Sequence, residues 1–230
     1  MYSPLVAPAF AACGLSADVL APPDRQSVEL GLRYVNNDLC YPAVIIIGDI
    51  IKAFRSGQYN PERTAIVFPQ TFGQCRASSY LPLMEKALQC AGYAKARVLS
   101  LSIANGDLQI DLPIDKKAFL KKLALELVFA DALARLYYAT ASREIVKGKA
   151  GAIHREFIER IAGEPADFDS LLILLKKAVA GFNSLETTDA AIPVVGVLGE
   201  IYVKYNAFAN NRIVEWLLEQ GLEVRVPPLL

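Results

Sequence analysis

Cys75 and Arg76 stand where a chain most readily does chemistry. They end a turn, Pro69-Gln70-Thr71-Phe72-Gly73-Gln74, that follows a short apolar run, Ala65–Phe68, and precedes a helix-like segment closed by Gly92. A second apolar run, Val98–Leu101, comes next. Strand, loaded turn, helix and strand make a βαβ unit, whose ligand position lies beyond the carboxyl end of the strand. A thiol there offers a nucleophile, a redox group or a soft metal ligand. A guanidinium there can hold a phosphate or pair with a carboxylate. Cys40 has a related address. It stands ahead of Pro42, a residue suited to the first turn of a helix, and a helix amino end stabilises negative charge on sulfur.

Two more polar residues follow a strand. Glu200 and Asn206 lie in Gly199-Glu200-Ile201-Tyr202-Val203-Lys204-Tyr205-Asn206, after the apolar run Ile192–Leu198. Glu200 reads as a site carboxylate, a partner contact or a helix cap. Asn206 reads as a contact residue or a turn former. His154 is the only histidine and falls in an ordinary amphipathic stretch, which leaves no second imidazole for a zinc site or a triad. There is no Walker loop and no GxGxxG. The four cysteines, 13, 40, 75 and 90, form no CxxC pair, so any metal site is assembled from distant positions. Cys13 and Cys90 lie in Ala-rich helical contexts and read as core thiols.

The elements that must position these groups follow from periodicity. Asp24 caps a helix over 25–34 with Val28, Leu32 and Val35 on one face. Residues 43–54 read as a helix with some strand character. Strands are expected near 17–20, 65–68, 98–101, 194–198 and 222–226. Asn105-Gly106-Asp107 signals a small hairpin. From Asp115 to Val179 the pattern is helical, with segments at 115–147, 153–161 and 168–179. The expected fold is α/β: a mainly parallel sheet with helices on both faces and a helical insertion or subdomain. The expected parts are an α/β lobe over 1–112 carrying Cys40 and Cys75, a helical section over 113–190, and a βαβ unit over 191–230 that completes the α/β domain.

Composition excludes several classes. The 230 residues are 53% apolar and 21% charged, with 24 basic and 24 acidic side chains. A balanced charge gives no attraction to nucleic acid or anionic membrane. No apolar run approaches the roughly 20 residues that span a bilayer. The start lacks a basic region, and Pro4 and Pro8 interrupt its short apolar stretch, which argues against an export signal. A cytoplasmic setting with reduced cysteines is expected. The apolar excess fits either a well-filled core or a surface covered by a partner or a second copy.

Three stretches together resemble one family. They are Gly31-Leu32-Arg33-Tyr34-Val35-Asn36-Asn37-Asp38-Leu39-Cys40-Tyr41-Pro42, Gln70 through Ala77, and Gly199 through Asn206 with Ala209-Asn210-Asn211. The chain is similar, over nearly its whole length, to the C-terminal module of the CoA-substrate-specific enzyme activases, which are related to the activators of 2-hydroxyacyl-CoA dehydratases. That resemblance implies an anaerobe and an electron-transfer system. In it, actin-type ATPase domains pass electrons to an iron–sulfur cluster held by cysteines at α/β domain edges. It implies Cys40 and Cys75 as cluster ligands. Two thiolates are too few for a 4Fe-4S cluster, so an upstream dehydratase-like module would share it. The alternatives are a cluster-free module that docks the activase ATPase domains to a partner, and a dehydratase-like acyl-CoA enzyme.

Overall fold

The computed structural model describes residues 2–70, 75–104, 107–165 and 167–229. The chain is α/β and divides into two compact units, Leu20–Pro113 and Met1–Val19 with Ile114–Leu230.

The continuous unit begins at helix α2 (Arg25–Tyr34) and helix α3 (Tyr41–Arg55). The two starts were legible. Asp24 accepts from the Ser27 backbone N–H while the Ser27 hydroxyl accepts from the Asp24 N–H, a reciprocal cap, and Pro42 stands in the first turn of α3. The expected face of α2 holds at Val35, which is buried, and at Val28, which packs on the same core, but not at Leu32. Leu32 is exposed, and the buried positions are Ser27, Leu30 and Gly31. The reason is close approach. A Cβ on Gly31 would lie 1.9 Å from the Val44 carbonyl oxygen, and one on Gly48 would lie 1.7 Å from the Ser27 carbonyl oxygen. The contact therefore needs small residues, not a leucine stripe.

A polar lock closes the α2–α3 contact. The Ser27 hydroxyl donates to Asp49 Oδ1 at 2.5 Å and accepts from Lys52 Nζ at 2.8 Å. Lys52 also pairs with Asp24 at 3.1 Å and with Asp49 at 3.2 Å. Burial pushes the Asp49 carboxyl up, while the Ser27 backbone N–H holds that of Asp24 down. The rest of α3 is buried on nearly every side, through Ile45, Ile47, Ile51 and Phe54 among others. The unbroken apolar run Val44–Ile47 suits a buried strand as well as a helix, which is why the two are hard to tell apart there.

Strand β1 (Ala65–Pro69) pairs in parallel with β2 (Arg97–Ala104), Phe68 opposite Ser100. A 3-10 turn (Arg76–Ser79) and helix α4 (Tyr80–Cys90) connect them. Gly92, at φ +87°, ends that connection in the left-handed region. Strand β3 (Asp107–Gln109) runs antiparallel to β2, so this sheet is mixed. Asn105 and Gly106, the expected turn of the hairpin, lie outside the described residues. Residues 17–20 form no strand; Val19 and Leu20 are exposed, and Pro22 and Pro23 follow without backbone donors.

The other unit is mostly helical. It comprises α1 (Ser3–Ala11), α5 (Lys116–Ala141), α6 (Lys149–Gly163) and α7 (Phe168–Asn183), then β4 (Val194–Gly196), α8 (Ile201–Tyr205), α9 (Ile213–Glu219) and β5 (Glu223–Arg225). Leu133 of α5, Ile161 of α6 and Leu171 of α7 are almost wholly buried in its core. The left-handed Gly148 gives α6 no side-chain cap. The buried Glu144 takes that role, accepting from the Gly148 and Ala150 N–H groups at 2.7 Å each. Strands β4 and β5 pair in parallel as a separate two-stranded sheet. The single mainly parallel sheet expected from the apolar runs is thus corrected to two small sheets, one mixed and one parallel. Strands β4 and β5 lie in the other compact unit, where each finds its ladder partner in the other. No helix among the described residues is long and apolar enough to cross a membrane.

Candidate functional site

The Cys40 turn and the Cys75 turn meet within the continuous unit. Cys40 is half-buried and precedes α3, with its carbonyl accepting from the Ala43 N–H at 3.0 Å. Its Sγ contacts the Tyr80 phenol oxygen. Tyr80 is the first residue of α4, is buried, and packs its ring on Phe68 of β1 with centroids 5.8 Å apart. Cys75 is exposed and opens the 3-10 turn that leads into Tyr80. The Ser78 hydroxyl donates to the Cys75 carbonyl at 2.8 Å. Arg76 Nη1 lies 3.5 Å from the Asp38 carbonyl, a long contact that joins one turn to the other.

Gln70 ties this region to the sheet. Its backbone N–H donates to Leu101 O at 2.8 Å, its Nε2 donates to the Ser78 carbonyl at 3.1 Å, and its Oε1 accepts from the Ser100 hydroxyl at 2.7 Å. The turn after Cys75 is thereby pinned to β2. Thr71, Phe72, Gly73 and Gln74 lie outside the described residues.

Glu200 and Asn206 belong to the other unit. Glu200 caps α8, its Oε2 accepting from the Val203 N–H at 2.9 Å. Asn206 Oδ1 accepts from the Ala209 N–H at 3.1 Å, and Asn210 both accepts from the Ile213 N–H at 3.3 Å and donates to Lys204 O at 3.1 Å. These side chains shape turns and caps, the blander of the roles their types allow. Cys13 is half-buried in the turn after α1. Beside it a cavity of about 370 Å³ is lined by Lys122, Glu164 and small residues. Lys122 Nζ is already engaged there, 2.7 Å from Glu126 Oε1 and 2.7 Å from the Glu164 carbonyl.

Cys90 corrects a reading. It is exposed at the carboxyl end of α4, not packed in the core. Cys90→Ser should accordingly leave stability within about 0.5 kcal/mol of the parent, as surface changes do. A loss of 1 kcal/mol or more in a urea melt would show that the thiol is packed after all.

Thiolate is the ligand type of iron–sulfur clusters, and Cys40 and Cys75 would supply at most two of the four that one uses. Among the described residues no three or more His, Cys, Asp or Glu side chains stand together as a metal site. Tyr80 and Ser100 carry no mark of this site in the sequence, and Gln70 is marked only as a member of the turn before Cys75. The only local signal was the start of a helix at Tyr80, directly after the cysteine turn. Comparison with protein-family models, curated proteins and solved structures finds no match.

Proposed function

We propose that this chain is a module of an ATP-dependent electron-transfer protein related to the 2-hydroxyacyl-CoA dehydratase activators. In this reading Cys40 and Cys75 supply two thiolates to an iron–sulfur cluster, completed by an upstream dehydratase-like module in the cytoplasm of an anaerobe. The supporting observation is the meeting of the two cysteine turns, through Cys40 on Tyr80 and Arg76 on Asp38. When bound, the cluster supplies one-electron transfer. The chain's own part is to hold two sulfurs on turns fixed by α3, α4 and β2. Arg76 adds a cation at the mouth, suited to a phosphate or CoA pyrophosphate.

The test is iron and sulfide analysis after anaerobic reconstitution, with the chain alone and with the ATPase and dehydratase-like modules present. Cys75→Ser keeps size and removes a soft ligand. It should lower bound iron by at least half while the melting temperature stays within a few degrees, because the residue is exposed. Full iron retention in Cys75→Ser and in Cys40→Ser would rule these two sulfurs out as ligands, and a parent protein that binds no iron under any of these conditions would rule the cluster out.

One observation favours a second reading, a cluster-free module that docks the ATPase domains. Leu198 and Ile201, on either side of Glu200, are 79% and 56% exposed. Apolar side chains presented together on a short segment suit a protein contact.

A further inference from the structure

The half-buried sulfur of Cys40 faces a phenol that lies 40 positions further along the chain. The sulfur and the Tyr80 oxygen are in hydrogen-bonding contact, and either atom can be the donor while Cys40 is a thiol. A metal-bound or ionised sulfur has no hydrogen, so Tyr80 must then donate. Tyr80 is held for that task. It is 5% exposed, its ring is fixed on Phe68, and its backbone starts α4. A phenylalanine would fill the same space, so packing alone does not call for the hydroxyl.

We infer that Tyr80 is a positioning residue that hydrogen-bonds the Cys40 sulfur and tunes the potential of the group which that sulfur holds. The inference rests on the cluster reading above for the potential, and on the phenol–sulfur contact alone for the reactivity of Cys40. A donor to a ligating sulfur stabilises the extra negative charge of the reduced state and raises the reduction potential. Hydrogen bonds to charged groups are among the stronger ones, enough for a tenfold change in an equilibrium constant. For a one-electron couple a tenfold change is about 59 mV.

The experiment is Tyr80→Phe in the intact chain, read in two ways. In the metal-free protein, iodoacetamide labelling with peptide mass spectrometry follows each thiol separately. The Cys40 rate should change tenfold or more, while the Cys75 rate stays within twofold and the melting temperature within a few degrees. After anaerobic reconstitution with ferrous iron and sulfide, alongside the partner modules, iron content should be unchanged and the potential about 59 mV lower. An unchanged Cys40 rate overturns the contact, whatever binds there. An unchanged potential with iron present overturns the tuning role. A changed Cys40 rate in a protein that never binds iron upholds the contact and rejects the cluster reading instead. If Tyr80→Phe does not fold, 3-fluorotyrosine at position 80 keeps the ring and alters the acidity of the hydroxyl. The Cys40 rate should again shift while that of Cys75 does not, and no shift overturns the inference.

Discussion

Gly48→Ala should lower the melting temperature of the continuous unit by about 8–16 °C, the equivalent of roughly 2 kcal/mol for a domain of this size. Two effects oppose each other. Alanine in place of a mid-helix glycine gains up to about 1 kcal/mol in helix propensity. The new methyl would stand 1.7 Å from the Ser27 carbonyl oxygen, a backbone atom that moves only if α2 moves. Overpacking of this kind costs about 1–3 kcal/mol and occasionally more, and here the obstacle is rigid. The shift would also part Ser27 from Asp49 and Lys52, so the larger figure governs. Gly181→Ala is the control. That glycine also lies inside a helix, α7, yet an added methyl would meet only Ile153 at an ordinary 3.7 Å. It should melt at or slightly above the parent. A Gly48→Ala protein as stable as the parent would mean that the two helices do not approach so closely. Displacement of α2 would carry Asp38 and Cys40 with it, so loss of stability and loss of the cysteine site should appear together.

The second large effect concerns acid. His154 packs against Tyr137 with ring centroids 5.1 Å apart and planes tilted by 33°, and its Nε2 is buried without a hydrogen-bond partner among the described residues. Burial, with the Arg155 charge adding to it, pushes the imidazole down to about 4. In the unfolded chain the ring titrates near 6.5. Above that value both states hold it neutral and its contribution is fully present. As pH falls from about 6.5 towards 4, the unfolded chain takes up a proton that the folded one refuses, so stability drops. The loss by pH 4 is on the order of 2–3 kcal/mol. His154→Phe keeps an aromatic ring against Tyr137 and removes the titration. Urea unfolding between pH 7 and pH 5 should show a clearly flatter profile in the variant. Parallel profiles would mean that the ring is solvated and charges normally.

Much of the continuous unit was legible because its signals are local. Asp24, Pro42 and Gly92 mark helix boundaries through their own backbone or side-chain chemistry. The strand, turn, helix and strand around Cys75 needed only the order of apolar runs. What escaped was set by partners distant in the chain. Leu32 looked like a core residue because helical spacing does not report that the neighbouring helix is only a glycine's width away. Tyr80 and Gln70 are ordinary residues until Cys40, Ser78 and Ser100 are brought beside them. Strands β4 and β5 were placed correctly as runs, but no run states which sheet it joins. In the other unit Glu200 and Asn206 carried a motif's prominence, while their bonds are those of a cap and a turn.

The order in which the elements are synthesised has a consequence. Helix α1 is synthesised before residues 20–113, but the surfaces that bury Leu5 and Phe10 belong to its own unit, whose next segment starts only at Ile114. Residues 20–113 form a continuous unit and can close while α1 is still waiting. At about 5–20 residues per second, α1 remains uncovered for roughly 10–30 s until α6 is complete. Pro4 and Pro8 then take on a second meaning. A nascent segment interrupted by prolines is a poor template for strand pairing, so the wait carries less risk of aggregation than its apolar content would otherwise impose.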